Sequence, residues 1–473
     1  MSASEIHDVL ALLDHSVKVE EGKVVIIDAD KLKKNIYRLA EVSALESGPR
    51  QGIARYLVRL IALAAGAVPA SIHDLYIARG RKMVPSNFTV PAINLRALAF
   101  DAARAVFRAA KATDAGAFIF EIARSEIGYS DQRPAEYTTS VLAAAIAEGF
   151  QGPVFIQGDH FQVSAKRYAA SPETELQAVR DLTKEAISAG FFNIDVDTST
   201  LVDISKPTVA EQQTANTTLS AMYTKYIREL EPSGVTISVG GEIGEVGGHN
   251  STEEELRAYM DGYIAELAKQ APGAVGLSKI SIQTGTSHGG VVLPDGSIAQ
   301  VSVDFDTLLK LSRIARDEYG LAGAVQHGAS TLPEDAFGKF VESEACEVHL
   351  ATNFQNMLFE RLPEDLKAEM YAYLDEKHAS ERKPGMTDEQ FYYKTRKNAV
   401  GPFKAKTWSM TAAKKAEITQ AWEEQFLKLF SLLGQTGTRK YVEQTTKPTS
   451  VKPDIKFYLG EALSEGDVSD LAD

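Results

Sequence analysis

Between residues 88 and 352 the chain alternates short apolar runs with longer amphipathic stretches. The runs are FTVPAIN (88–94), GAFIFEIA (116–123), PVFIQGD (153–159), FNIDVD (192–197), VTISVGGE (235–242), SKISIQTGT (278–286), GAVQHG (323–328) and CEVHLAT (346–352). Each is short and apolar enough to be a strand buried on both faces. The stretches between them, such as LRALAFDAARAVFRAAKAT, ETELQAVRDLTKEAISAG and DFDTLLKLSRIARDEYG, space apolar residues three and four apart and predict helices. Strand and helix alternating eight times imply parallel strands joined by crossover helices. Eight units over about 270 residues match the count and size of a (β/α)8 TIM barrel. A doubly wound open sheet is the alternative, but no G-x-G-x-x-G follows the first run, which weakens a dinucleotide reading.

The flanks have a different texture. The first 85 or so residues read as helical, with ADKLKKNIYRLAEVSAL and GIARYLVRLIALAAGAV both patterned at helical spacing. Beyond residue 360 the chain is charged and helical again, in PEDLKAEMYAYLDEKH and AEITQAWEEQFLKLFSLLG, and SEGDVSDLAD reads as an acidic surface tail. The expected organisation is a helical N-terminal extension (1–87), a catalytic barrel (88–360) and a helical C-terminal extension (361–473). The extensions are expected to pack on the barrel or on a neighbouring subunit.

Composition narrows the function classes. The 473 residues are 44% hydrophobic and 24% charged, as in ordinary globular proteins. A formal net charge of -14 argues against a nucleic-acid surface, which needs clustered Lys and Arg. It leaves room for a small anionic substrate, since a few local cations or helix N-termini suffice to bind one. The single cysteine, Cys346, rules out an intramolecular disulfide and fits a reducing cytoplasm; within ACEVHLAT it reads as a buried structural thiol. The opening MSASEIHDVLALLDHSVKVEEGK carries acids and no basic region, so it is not expected to be a signal peptide. No run of about 20 apolar residues predicts a membrane span.

Candidate chemistry clusters at the strand ends. Of nine histidines, His160, His288, His327 and His349 fall at or just after the C-terminal end of a predicted strand, and His249 lies in the loop after the fifth. In a barrel all strand C-termini share one face, where active sites lie. One such histidine reads as a structural residue, but several on one rim read as a metal site. A catalytic zinc site wants three protein ligands and an open position, and His160, His288 and His327 can supply three nitrogens.

Acids accompany them. Asp159 precedes His160 and, in extended geometry, points away from it unless the strand has already ended. Glu242 closes the fifth run, and Asp195 and Asp197 close the fourth; for Asp197, followed by TST, capping of the next helix is the alternative role. HGAST (327–331) leads into TLPEDAFGKF, where Thr331 and Glu334 predict a capping box behind a Gly turn, an arrangement suited to phosphate. TSHGG (286–290) offers a second flexible turn, with plain turn glycines as the alternative for both.

Six motifs, GDH, AGFFNIDVDTS, GEIGEVGG, GTSHGG, VQHGAST and VHLATNFQ, occur in order between Phe88 and Met357. In that order and spacing the chain resembles the class II (zinc-dependent) fructose-bisphosphate aldolases. The resemblance implies that Asp159 is the acid/base taking the C4 hydroxyl proton and that His160, His288 and His327 hold Zn2+. It implies that Glu242 lies near an alternative metal position and that Asp197 is a second acid of the rim. Gly289, Gly328, Ser330 and Thr352, with His349 and Asn353, fall in the substrate and phosphate pocket. The loop of Gly289 in the family also helps bind a monovalent cation. The family forms dimers and tetramers, so a homo-oligomer acting on a sugar or sugar phosphate is implied.

Two departures qualify this. After the double glycine of GGEIGEVGG the family carries acids, one of which protonates the enediolate; here His249-Asn250 follow. The family's Asn-x-Asp-Thr at the eighth strand is HLAT, with His349 and Ala351. An aldolase cleaving the C3–C4 bond of a ketose (bis)phosphate, such as fructose 1,6-bisphosphate or tagatose 1,6-bisphosphate, is the leading expectation, with His249 able to protonate in place of the acid. A zinc-dependent ketose or ketose-phosphate 4-epimerase is the alternative, because breaking and remaking the same bond never protonates the enediolate. A non-catalytic accessory subunit of an aldolase is a third reading, disfavoured by the kept metal ligands.

Overall fold

All eight apolar runs become strands. The computed structural model describes residues 3–20, 23–244, 249–285, 293, 302–460 and 466–469. Its strands are β1 (Val17–Glu20), β2 (Lys23–Ile26), β3 (Ala67–Ala70), β4 (Val90–Asn94), β5 (Ile119–Ala123), β6 (Gly152–Gln162), β7 (Asn193–Asp197), β8 (Ser238–Glu242), β9 (Lys279–Ile282), β10 (Ala324–Gln326) and β11 (Glu347–Leu350). Strands β4 to β11 run parallel, each beside the next, and β11 returns to β4. That ring is a (β/α)8 barrel and excludes the open sheet. Every residue of β4, β5, β7, β9, β10 and β11 is buried, which is why these strands read as continuous apolar runs.

The helical reading of the first 85 residues missed three strands. β1 and β2 form an antiparallel hairpin, Val17 opposite Ile26, whose period-two alternation is legible but short. β3, AVPA, is four residues with a proline and carries no pattern of its own. It pairs with the start of β6, from Ala67 opposite Gly152 to Ala70 opposite Phe155, below the point where β7 joins at Gln157. The helix His73–Gly80 then closes the N-terminal end of the barrel. Arg79 donates to the carbonyls of Ala322, Glu344, Ala345 and Phe88, all just ahead of strands. Tyr76 reaches inward and donates to the Glu347 carboxylate.

The flanks pack against the barrel helices. The long helix Ala412–Leu432 lies along Ala99–Thr113, and Trp422 Nε1 donates to the Phe354 carbonyl at 3.1 Å. Buried Glu136, on the barrel helix Pro134–Glu148, meets Arg55 of the N-terminal flank at 3.4 Å and Lys404 of the C-terminal flank at 3.1 Å. Among the described residues, no helix is long and apolar enough to cross a membrane.

Candidate active site

Asp159 and His160 face the same rim because β6 carries a bulge. Gly158 pairs with Ile194 and Phe161 with Val196, so β6 advances three residues while β7 advances two. One residue is extra, and His160 absorbs it with φ +40, a left-handed conformation uncommon for a side-chain-bearing residue. The strand continues to Gln162, yet the usual alternation is broken at Asp159 and His160, whose side chains both approach His327. Gly158 permits this: a Cβ there would lie 2.4 Å from the Phe161 ring.

His160 is the centre of the upper cluster. Its Nδ1 lies 3.0 Å from Asp197 Oδ2 at the end of β7 and 3.1 Å from Glu242 Oε2 at the end of β8. Its ring centroid lies 4.3 Å from that of His327, just after β10, and the His327 centroid lies 4.0 Å from that of His349 on β11, both pairs tilted rather than stacked. Asp159 Oδ1 is 3.6 Å from His327 Nε2 and 3.2 Å from His349 Nδ1. Residues from five other strands or the turns just after them, counting Glu121 of β5 at 2.9 Å from His349 Nδ1, thus meet around Asp159 and His160.

Charge is distributed unevenly among the imidazoles. Burial opposes a charge on His160, but Asp159, Glu242 and Asp197 outweigh it and hold the group well above its ordinary value. Burial also opposes a charge on His349, and there Glu121 and Asp159 prevail in the same direction. His327 goes the other way: burial, joined by the charges of His349 and His160, holds it well below the ordinary range. Asp197 is raised by burial but brought down to about 2 by His160, Ser199 and Gln162. Burial would raise Asp159 as well, yet His160 and His349 keep it ionised.

The cluster fits a divalent cation. His160, Glu242 and His327 can each bring one ligand atom within 4.8 Å of the others, two imidazoles and a carboxylate, a donor set suited to zinc. Asp159, Asp197 and Glu242 surround the same spot with negative charge; a neutral His327 already has the protonation state a ligand needs, while His160 must give up its proton to a cation bound there. Below it, Asp195, Glu347 and His349 form another group of possible ligands. That place already holds a cation: Lys279 Nζ lies 2.9 Å from Asp195 and 2.5 Å from Glu347.

The remaining expected residues are spread around this centre. Gly328 has φ +69 in the loop after β10, and Ser330 Oγ accepts from the Ala351 amide at 2.5 Å, tying that loop to the end of β11. Thr352 and Asn353 open the helix Thr352–Arg361. His249 is half-exposed; its ring meets the Asn250 carbonyl at 2.8 Å and Glu255 at 3.8 Å, and no contact among the described residues links it to the cluster. His288 and Gly289 lie outside the described residues. The Thr331–Glu334 capping box does not form, because Pro333 takes the N-cap position of a short 3-10 turn, Glu334–Ala336.

Sequence reasoning overlooked the charged layer beneath the rim. Gln157 Nε2 donates to Glu121 at 3.2 Å and to Glu347 at 3.0 Å, and its Oε1 accepts from Lys279 at 2.8 Å. Burial, with the charge of Asp159, pushes Glu121 up to about 8. The signal was present as single charged residues inside the runs GAFIFEIA, SKISIQTGT and CEVHLAT, where burial on both faces demands a partner.

A family model described as fructose-bisphosphate aldolase class-II matches residues 81–424. A protein of Sinorhizobium meliloti 1021, described as a probable tagatose 6 phosphate kinase, aligns at 17% identity over 79% of this chain and 97% of its own, with a TM-score of 0.50. The YdjI aldolase from Escherichia coli K12 aligns at 13% identity over 78% and 99% of the two chains, with a TM-score of 0.47. A fructose-bisphosphate aldolase from Campylobacter jejuni does so at 16% identity over 79% and 98%, also with a TM-score of 0.47. No curated protein matches the sequence. The Sinorhizobium likeness, at its identity, speaks for the fold alone.

Proposed function

The chain belongs to the class II fructose-bisphosphate aldolase family, and on that footing we propose that it is a zinc-dependent aldolase making and breaking the C3–C4 bond of a ketose phosphate. Fructose 1,6-bisphosphate and tagatose 1,6-bisphosphate are the substrates to try first. The observation that carries the reading is the bulge of β6, which turns Asp159 and His160 together onto the rim beside Glu242 and His327.

In this reading His160 and His327 hold the metal with His288, and Glu242 stands at an alternative position. When bound, the cation polarises the ketose carbonyl and stabilises the charge left on the C3 side of the broken bond. Asp159 takes the proton of the C4 hydroxyl; C4 becomes an aldehyde as the C3–C4 electron pair stays with C3. Asp197 holds His160 in place through Nδ1. Ser330, Gly328, Gly289, Thr352 and Asn353 grip the substrate's phosphate, with His349 beside them, and so orient a bond some distance away. A monovalent cation in the Gly289 loop belongs to the same reading. The barrel, 88–360, carries the chemistry, and 1–87 and 361–473 serve as extensions. With this go a cytoplasmic location and a homo-oligomer.

Cleavage also needs a proton delivered to C3, which falls to His249. Its ring, however, rests on Asn250 and Glu255, and that observation favours a second reading, a ketose-phosphate 4-epimerase. There the aldehyde turns and the same bond reforms on its other face, with no proton passing to carbon. An NMR time course of the zinc-loaded protein with fructose 1,6-bisphosphate, tagatose 1,6-bisphosphate and fructose 6-phosphate separates the two. Free triose phosphate supports the aldolase; a C4-inverted ketose without triose supports the epimerase. Neither product from any of the three sugars would overturn both.

A further inference from the structure

Residues 466–469 dock against the segments that follow β5 and β6, although the sequence reads SEGDVSDLAD as a surface tail. Three arginines grip this segment by its backbone. Arg133 Nη1 donates to the Gly466 carbonyl at 3.0 Å, and Arg167 Nη1 to that of Ser469 at 2.9 Å. Arg124 Nε and Nη2 donate to the Asp467 carbonyl at 3.2 and 2.8 Å. Arg167 also pairs with the Asp467 carboxylate. Gly466 is buried, and Val468 lies so close to Gly128 that a Cβ there would come within 2.4 Å of the Val468 carbonyl oxygen.

Arg124 connects the segment to the site. It follows directly on β5, its side chain is 1% exposed, and its remaining donors go to Glu175 at 2.5 and 3.3 Å and to the Gln162 carbonyl at 2.8 Å. All five N–H donors of the guanidinium are thereby used. Gln162 ends β6, two residues beyond His160, and its Nε2 donates to Asp197 Oδ2 at 2.6 Å, the oxygen that His160 Nδ1 faces at 3.0 Å. Without Asp467, Nε and Nη2 lose its carbonyl as acceptor and water takes its place, so the guanidinium is free to turn outward and draw Nη1 away from the Gln162 carbonyl.

We propose that segment 466–469 is a working part of the metal site, with Arg124 as a positioning residue. Docked, it locks Arg124, and through Gln162 and Asp197 it sets the imidazole of His160, so that the hold on a divalent cation depends on residues some three hundred positions away in sequence. The inference rests on the metal-site reading given above.

Two variants test it: a chain ending at residue 465, and Gly128→Ala. The second keeps the full chain and every arginine, and alanine suits the helix Arg124–Ser130, so it displaces the segment by the Cβ alone. Each is compared with the unaltered protein by zinc competition against a chromophoric chelator. Each is also compared, metal-free, by amide hydrogen exchange of residues 158–163. Both variants should raise the zinc Kd about 10–100-fold, the range for lost support of a metal ligand, and speed exchange at 158–163 while the barrel helices keep their protection. Unchanged affinity or unchanged exchange in both variants would overturn the proposal. If the unaltered protein held no zinc, the metal-site reading would fall, and the exchange result alone would decide whether the segment sets the end of β6.

Discussion

His160 Nδ1 and Asp197 Oδ2, from the ends of adjacent strands, lie 3.0 Å apart, and Gln162 and Ser199 fix the same carboxylate at 2.6 and 2.7 Å. An imidazole held through one ring nitrogen presents the other in a defined direction, the usual support of a metal-binding histidine. Asp197→Asn removes the charge and keeps the shape. The zinc Kd should rise about 10–100-fold, read by chelator competition, while the fold's circular dichroism stays as it was.

Asp159 stands between three imidazoles and is ionised, so it can accept a proton without first losing one. Asp159→Asn should lower kcat about 10²–10⁴-fold with the zinc content unchanged. Steady-state kinetics together with metal analysis of the same sample checks both halves.

The bulge depends on the absence of a side chain at Gly158. In Gly158→Ala the new methyl meets the Phe161 ring at 2.4 Å, and either the ring or the bulge must move. The expected cost is about 1–3 kcal/mol in urea unfolding, with zinc affinity falling because His160 moves with the strand.

Glu121 makes a pH prediction. Burial, then Asp159, pushes it up to about 8 from an ordinary 4.5, so between those values the folded chain binds a proton that the unfolded chain has released. Stability must therefore fall as pH rises through that window. Metal-free Glu121→Gln should show a flatter profile than the unaltered protein between pH 4.5 and 8. Thermal melts across that range would contradict this if the two profiles ran parallel.

What the sequence disclosed follows from where each residue's partners lie. The eight barrel strands are buried on both faces, so their identity is written locally, in apolar runs. His160, His327, Glu242 and Asp197 were legible because strand order alone carries them to one rim. The bulge was not, since an extra residue in β6 exists only relative to the register of β7. Lys279 and Glu347 stand as single charges inside apolar runs; their 2.5 Å contact joins strands 68 residues apart and has no local signature. Pro333 shows the reverse case, a residue visible in the sequence whose capping position overrode the Thr331–Glu334 pattern.

The most direct test of the central claim is anomalous diffraction at the zinc edge from crystals of the zinc-loaded protein. The account predicts one peak within ligand distance of His160 and His327, beside Glu242. A zinc peak elsewhere, or none at that cluster while the protein retains activity, would contradict it.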